Sequence, residues 1–231
     1  MRYLSLIFLL LLPCSMLAAP QPSQPAVRYV ALGDSYTIGT GARQIESWPA
    51  VITKRLQKKG VSIELVGNLA RAGWTTEDLI NYQLPELKTL QPDFVSVLIG
   101  VNDWVRGTDI KVFENNLRFI LDELVTLVPD RNSILVVTIP DFSVMPAGDQ
   151  YSGGRDVAKG IAEFNDIVRK EAELRQLQVV DIYPLSQTLG KDFSLYAIDG
   201  LHPSAKAYAL WADFIESAFR FQPSVNLPKT N

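Results

Sequence analysis

The one histidine of this 231-residue chain, His202, follows Asp199 by three residues. Ser35 lies much earlier, directly after the apolar run 27–32 and the pair Gly33-Asp34. A serine hydroxyl becomes a good nucleophile when an imidazole removes its proton and a carboxylate orients that imidazole. These side chains have the types needed for a Ser-His-Asp nucleophile, and any imidazole base must be His202. Each fragment alone also fits a plainer interpretation, a lone core or surface histidine and a simple turn.

The segments around these residues alternate between strand-like and helix-like patterns from Val27 onward. The predicted strands are 27–32, 61–66, 94–99, 134–139 and 179–182. The predicted helices are 48–59, one that begins at Thr75 and breaks or restarts at Pro85, 109–128, 155–176 and 204–219. Strands separated by helices form parallel sheets through right-handed crossovers. The sequence therefore predicts one α/β domain whose five-stranded parallel sheet has helices on both faces.

Four polar or glycine-rich segments follow predicted strands. Ser35 comes after the first strand, the loop 67–73 after the second, and Asn102 after the third, while the turn 199–202 follows the fifth. Open parallel sheets bind ligands beyond the carboxyl ends of their strands. We therefore expect all four segments to meet at one edge of the sheet.

Composition and charge narrow the class of protein. A hydrophobic content of 47% is sufficient for one well-buried core. The formal net charge of −3 and the lack of a long basic stretch argue against a nucleic-acid partner. We expect a small-molecule or lipid ester as substrate and no nucleic acid. The sequence does not indicate the oligomeric state.

The N-terminal segment 1–25 has the pattern of an export signal followed by a linker. Arg2 precedes the apolar block 4–12, small residues reach Ala19, and a proline-rich stretch ends at Pro25. The block is too short to span a bilayer comfortably, so we expect an exported protein with no stable membrane span and a domain over 26–231. Lipid attachment at Cys14 is less favoured, because Pro13 stands where a small residue is wanted.

Cys14 is also the only cysteine of the chain. The mature domain therefore has neither a disulfide nor a thiol nucleophile, and it has no cysteine-based metal site. The chemistry of this domain must come from other side chains.

The motifs resemble those of the GDSL/SGNH hydrolase family, serine esterases and lipases on a flavodoxin-like, three-layer α/β/α sheet. Four blocks carry the resemblance, in order: Gly33-Asp34-Ser35-Tyr36-Thr37-Ile38-Gly39, Asn68-Leu69-Ala70-Arg71-Ala72-Gly73-Trp74-Thr75-Thr76, Gly100-Val101-Asn102-Asp103 and Asp199-Gly200-Leu201-His202-Pro203. The resemblance covers nearly all of 26–231 and implies a hydrolase without metal or organic cofactor. Arg71-Ala72 before Gly73 departs from the usual small-Ser-Gly run, which puts substrate preference in doubt.

The resemblance also implies a role for each site residue. Ser35 would be the nucleophile, His202 the base and Asp199 the group that orients the imidazole. The backbone N–H groups of Ser35 and Gly73 and the amide of Asn102 would form the oxyanion hole.

Several residues in or beside the four blocks have plainer structural interpretations. Asn102 has an alternative as a helix cap, and Asp34 and Asp103 are expected to brace backbone rather than react. Trp74 and Trp104 are expected either to line the pocket or to lie in the core. The blocks therefore leave the roles of these five residues to be decided by tertiary contacts.

The predicted activity is cleavage of carboxylic esters through an acyl-enzyme, on acyl esters, lysophospholipids or thioesters. An O-acetyl esterase acting on polysaccharide is the alternative within the same fold. A ligand-binding module with a decayed site is the non-enzyme alternative, and it is disfavoured because all four blocks retain the required side chains.

Overall fold

A five-stranded parallel sheet forms the centre of the computed structural model, which describes residues 25–221. The strands are β1 (Val27–Gly33), β2 (Ile63–Asn68), β3 (Phe94–Leu98), β4 (Ile134–Val137) and β5 (Gln178–Val180). Their order in the sheet is β2-β1-β3-β4-β5, and each adjacent pair is parallel. This is the flavodoxin-like order, so the predicted single α/β domain is confirmed. The predicted segment 1–25, including Cys14, lies almost wholly outside the described residues.

Helices connect the strands and cover both faces of the sheet. They are α1 (Ser35–Ile38), α2 (Trp48–Lys58), α3 (Thr76–Asp78), α4 (Leu84–Leu90), α5 (Val101–Arg106), α6 (Ile110–Leu127), α7 (Val157–Leu174), α8 (Tyr183–Ser186) and α9 (Ala205–Ala218). α2 packs against α9 on one face, whereas α6 contacts α4 and α7 on the other. No helix among residues 25–221 is long and apolar enough to cross a membrane.

The core lies on both sides of the central strands. Every residue of β3 and β4 is buried, as expected for strands covered on two faces. Large aromatic side chains fill the space between sheet and helices, and Trp48, Trp211 and Tyr208 are fully buried between α2, α9 and β1. The polar groups of the predicted site therefore lie in the loops at the carboxyl edge of the sheet.

The second strand was predicted two residues too early. The predicted strand is 61–66, whereas β2 spans Ile63–Asn68. The N–H of Val61 donates to the carbonyl of Leu56, which makes Val61 part of the turn that ends α2. Gly67 and Asn68 instead pair with β1, so the apolar pattern alone misplaced both ends.

The predicted interruption at Pro85 takes the form of a wider helical turn. Leu79–Gln83 form a π-helical turn between α3 and α4, and the chain stays helical across Pro85. Proline lacks an N–H, and its ring crowds the carbonyl four residues earlier in a regular helix. The π-turn accommodates that crowding. It also brings the side chain of Gln83 to the end of β1, where it hydrogen-bonds to Gly33.

Candidate active site

One pocket at the carboxyl edge of the sheet contains most of the predicted site residues. It has a volume of about 220 Å³ and is lined by Ser35, Tyr36, Ala72, Gly73, Val101, Asn102, Val105, Phe142, Tyr151, Leu201 and His202. The structure therefore brings together Ser35, Gly73, Asn102 and His202, which lie on four separate loops. Asp199 stands behind His202, outside the lining.

Ser35 is the first residue of α1, at the point where β1 turns into the helix. Its N–H belongs to the first helical turn and therefore has no acceptor within the helix. The carboxyl of Asp34 caps this helix by accepting from the N–H of Tyr36 at 3.0 Å. Asp34 thus braces the turn that carries Ser35 into the pocket lining, in line with its expected structural role.

Gly33, just before the nucleophile turn, is held by a buried side chain from the π-turn. The side chain of Gln83 accepts from the N–H of Gly33 at 2.9 Å and donates to its carbonyl at 2.7 Å. Gly33 has φ +150°, and a Cβ there would lie 2.3 Å from the carbonyl oxygen of Leu98. Gln83 was not predicted from the sequence, because it lies 50 residues from Gly33 and outside every motif.

The carboxylate of Asp199 holds both the ring and the backbone of His202. One oxygen of Asp199 lies 2.6 Å from Nδ1 of His202. The other accepts from the backbone N–H groups of Leu201 at 2.9 Å and His202 at 3.0 Å. Partial burial alone would raise the pKa of Asp199, but these N–H groups and the ring outweigh it and hold the pKa below its usual range. Asp199 therefore stays ionised and leaves Nε2 of His202 available to accept a proton.

Two neighbouring contacts fix the position of this turn. The ring of Tyr36 lies 5.7 Å from the imidazole of His202, centroid to centroid. The carbonyl of Gly200 accepts from the N–H of Ala147 at 2.9 Å, which ties the turn to the loop between β4 and α7. His202 is thus held from the nucleophile side and from the opposite side of the pocket.

Gly73 occupies the third position of a tight turn, Arg71–Trp74. The N–H of Trp74 donates to the carbonyl of Arg71 at 3.3 Å. Gly73 has φ +81°, whereas Ala72 is not among the residues with positive φ. This combination defines a type II turn, which requires glycine at that position. The turn's own hydrogen bond uses the N–H of Trp74 and not that of Gly73, and Gly73 lines the pocket, unlike Gly67.

Asn102 lies in the first turn of α5, where its amide nitrogen donates to the carbonyl of Trp74 at 2.9 Å. Gly100 is the residue that precedes the helix, and no side chain caps it. The alternative role of Asn102 as a helix cap is therefore wrong. An amide carries two N–H bonds, and the second remains for a ligand in the pocket.

Two buried carboxyl groups lie below the site. Asp103 accepts from the N–H of Thr76 at 2.9 Å and from its hydroxyl, so it orients backbone as expected. Burial raises the pKa of Asp103 against these hydrogen bonds. Burial raises the pKa of Asp34 to about 8, and the nearby Asp103 adds to that rise. One oxygen of Asp34 has no hydrogen-bond partner among the described residues. Asp34 is therefore a structural carboxyl that resists ionisation.

Part of the apolar wall of the pocket comes from residues that the motifs did not indicate. Phe142 and Tyr151 lie in the loop between β4 and α7, and both line the pocket. Trp74 and Trp104 do not line it: the ring of Trp74 is tilted against that of Tyr82, with centroids 5.4 Å apart, and Trp104 is buried against Phe142. The length of the loop between β4 and α7 is the sequence feature that could have indicated these pocket residues, because long loops at this edge of a sheet often build ligand sites.

Arg155 connects this loop to α5. Its guanidinium lies 4.1 Å from the ring centroid of Trp104 and donates to the carbonyls of Trp104 at 2.7 Å and Val105 at 2.9 Å. The loop that carries Tyr151 and the helix that carries Asn102 are therefore held as one wall.

Comparison with known proteins identifies the family of this chain. The model of the GDSL-like lipase/acylhydrolase family matches residues 31–210. An arylesterase of Vibrio mimicus is 28% identical over 195 residues, which cover 84% of this chain and 88% of that protein. The thioesterase 1/protease 1/lysophospholipase L1 of Escherichia coli K12 is 26% identical over 197 residues, 84% of this chain and 83% of the relative.

Solved structures share the fold at low sequence identity. An acetylxylan esterase from Geobacillus stearothermophilus superposes with a TM-score of 0.66 at 22% identity, covering 86% of this chain and 96% of that one. A lipase/acylhydrolase from Enterococcus faecalis gives a TM-score of 0.67 at 22% identity, covering 85% and 98%. The family model covers well over half of the chain, and this protein therefore belongs to the GDSL-like lipase/acylhydrolase family.

Proposed function

We propose that this protein cleaves carboxylic esters through an acyl-enzyme formed on Ser35. The observation that carries the proposal is that Ser35, Gly73, Asn102 and His202 line one pocket while Asp199 holds the imidazole. The hydroxyl oxygen of Ser35 attacks the ester carbonyl, and Nε2 of His202 takes the hydroxyl proton. Asp199 stabilises the imidazolium that results.

The negative charge of the tetrahedral intermediate develops on the former carbonyl oxygen. The N–H groups of Ser35 and Gly73 and the free amide N–H of Asn102 stabilise it, and such a donor contributes about 3–4 kcal/mol at the transition state. The carbonyl re-forms, the bond to the leaving alkoxide breaks, and His202 gives its proton to that alkoxide. Water then attacks the acyl-enzyme by the same steps and releases the carboxylic acid and Ser35.

The pocket favours a short or medium acyl or aryl group on the substrate. Its 220 Å³ lies below the range of about 300–1,000 Å³ that is typical of whole-ligand pockets, and Val101, Val105, Phe142 and Leu201 give it an apolar wall. Arylesterase and lysophospholipase activities named for the relatives agree with such a substrate. An O-acetyl esterase acting on polysaccharide is the second candidate, since an acetylxylan esterase shares the fold.

The sequence of segment 1–25 supports export of the enzyme before folding, with the hydrolase domain over 26–231. Arg2, a short apolar block and small residues up to Ala19 are typical of a cleaved signal. Fractionation of cells that express the full chain tests this, with N-terminal sequencing of the mature protein. Recovery of the intact N-terminus from the cytoplasm would contradict export.

A fluorophosphonate probe tests the nucleophile directly, because the phosphorus forms a covalent bond to an activated serine oxygen and loses fluoride. We expect wild-type protein to be labelled at Ser35 and Ser35→Ala to remain unlabelled. Ester turnover should fall at least about a thousandfold in the variant. The exposed Ser194→Ala is the matched control, with unchanged labelling. Strong labelling of Ser35→Ala would show that another serine is the nucleophile.

A panel of p-nitrophenyl esters from acetate to decanoate, with acetylated xylan and acyl-CoA beside it, tests the substrate class. Tyr151→Ala removes the ring of a half-exposed wall residue and should shift the preferred acyl length upward, changing the decanoate-to-acetate ratio of kcat/KM about tenfold. Tyr82→Ala, an exposed tyrosine outside the pocket, should leave that ratio unchanged. Turnover confined to acetylated xylan would favour the second candidate instead.

A further inference from the structure

The short helix α5 contacts the segment Gly73–Thr76, which follows β2, through three of its side chains. Asn102 donates to the carbonyl of Trp74, and Asp103 accepts from the N–H and hydroxyl of Thr76. Arg106, one turn further along α5, donates from Nη2 to the carbonyl of Gly73 at 2.5 Å. Side chains from one helix thus hold three backbone groups between Gly73 and Thr76, two carbonyls and one N–H.

The contact to Gly73 bears on the direction of its N–H. Type I and type II turns differ mainly by a rotation of the central peptide, which here joins Ala72 to Gly73. In the type II form the N–H of Gly73 is available to the pocket, whereas in the type I form the same peptide is turned over. The next peptide, Gly73–Trp74, is the fixed frame against which that rotation occurs.

That frame is held at both ends. Its carbonyl accepts from Arg106, and its N–H donates to the carbonyl of Arg71. Rotation of the central peptide leaves this next peptide nearly in place. The hydrogen bond of Arg106 therefore fixes the position of the Gly73 Cα, from which the N–H of Gly73 is directed, while φ +81° at Gly73 gives the type II form.

Arg106 is itself oriented by the segment that it holds. Its Nη1 lies 3.8 Å from a carboxylate oxygen of Asp78, and the same oxygen accepts from the N–H of Thr75 at 2.9 Å. The left-handed Gly107 ends α5 directly after Arg106. The guanidinium thus contacts both the Gly73 carbonyl and the carboxylate of Asp78, which belongs to the capping box of α3.

We propose that Arg106 is a positioning residue of the oxyanion hole, which holds the Gly73–Trp74 peptide so that the N–H of Gly73 faces the developing negative charge. The proposal rests on the proposed function, because it requires Gly73 to act as an oxyanion donor. α5 then contributes to the oxyanion hole in two ways. It supplies the amide of Asn102 directly, and it sets the backbone donor of Gly73 through Arg106.

Steady-state kinetics of Arg106→Gln and Arg106→Lys on one p-nitrophenyl ester test the proposal. We expect Arg106→Gln to lower kcat about tenfold with KM changed less than about twofold, since the oxyanion forms only in the transition state. Arg106→Lys keeps one cationic donor and should recover part of the loss. Arg55→Gln, which breaks a surface ion pair between α2 and α9, is the matched control and should behave as wild type.

An alkylboronic acid provides a second measurement that a merely structural role would not move. Boron bonds to the oxygen of Ser35 and carries a hydroxyl in the place of the oxyanion. We expect its Kd to rise by the same factor as kcat falls in Arg106→Gln, with an unchanged melting temperature. Wild-type kcat in Arg106→Gln, or a loss expressed in KM with unchanged boronate binding, would overturn the role of Arg106. Equal inactivity of wild type and Ser35→Ala would overturn the proposed function itself.

Discussion

The two halves of the candidate site are built in opposite ways. The base and its partner, His202 and Asp199, lie in one turn and are joined by contacts between residues three apart. The oxyanion side is assembled over long sequence separations: Asn102 reaches Trp74 across 28 residues, and Arg106 reaches Gly73 across 33. One half is a local turn, and the other exists only once β2, β3 and their loops have come together.

This difference predicts how each half fails. Removal of a reacting group from the turn of Asp199 and His202 is expected to lower activity with little change in the rest of the structure. A donor set held by α5 is expected to lose activity in graded steps as successive contacts are removed. Variants that remove one group at a time therefore distinguish the two halves.

Removal of the base should give the largest loss. His202→Ala should lower kcat/KM at least about a thousandfold, because no other histidine exists to accept the proton of Ser35. Asp199→Asn should be milder, since the imidazole remains. A His202→Ala enzyme with wild-type kcat/KM would remove His202 from the mechanism.

Removal of the side-chain donor on the other half should cost less. Asn102→Ala should lower kcat about a hundred- to a thousandfold with KM nearly unchanged. Asn116→Ala is the matched control, because its amide bonds the hydroxyl of Thr76 in the same segment without lining the pocket. If both variants lose only stability and turn over normally when folded, Asn102 serves the segment and not the oxyanion.

Gln83 tests whether the nucleophile turn also depends on a distant contact. Gln83→Leu leaves the buried N–H of Gly33 without its side-chain partner, at a cost of about 1–3 kcal/mol in the free energy of unfolding, whereas the carbonyl of Gly33 keeps the N–H of Arg71. We expect fluorophosphonate labelling of Ser35 to slow about tenfold in the folded variant. Gln57→Leu, which loses a bond to the carbonyl of Ile63 at the other end of the sheet, should label normally. Normal labelling of both would assign Gln83 to stability alone.

The smallest effect concerns stability and not turnover. Burial raises the pKa of Asp34 to about 8, from an ordinary value near 3.8, so the folded state favours the protonated acid. That contribution is fully present below about pH 4 and is lost as pH rises through about 8. Asp34→Asn never ionises and should therefore gain stability relative to wild type from pH 4 to pH 8. Urea midpoints measure this, with the exposed Asp149→Asn as control, and a constant difference across pH would contradict it.

The sequence alone determined the fold class and the local half of the site. Alternating apolar strands and amphipathic helices require a parallel sheet, and this predicts which loops share an edge. The four motif blocks likewise place Ser35, Gly73, Asn102 and His202 together, because each block follows a strand of that sheet. The link between Asp199 and His202 follows from their spacing within one turn.

Only the tertiary structure decided which side chains hold these groups and shape the pocket. Gln83, Arg106 and Arg155 act on backbone groups of segments far away in the chain, and Phe142 and Tyr151 form a wall through a loop without regular periodicity. Periodicity and spacing report contacts within an element or along one turn. A hydrogen bond between two loops depends on where the folded sheet places them, and no local pattern encodes that distance.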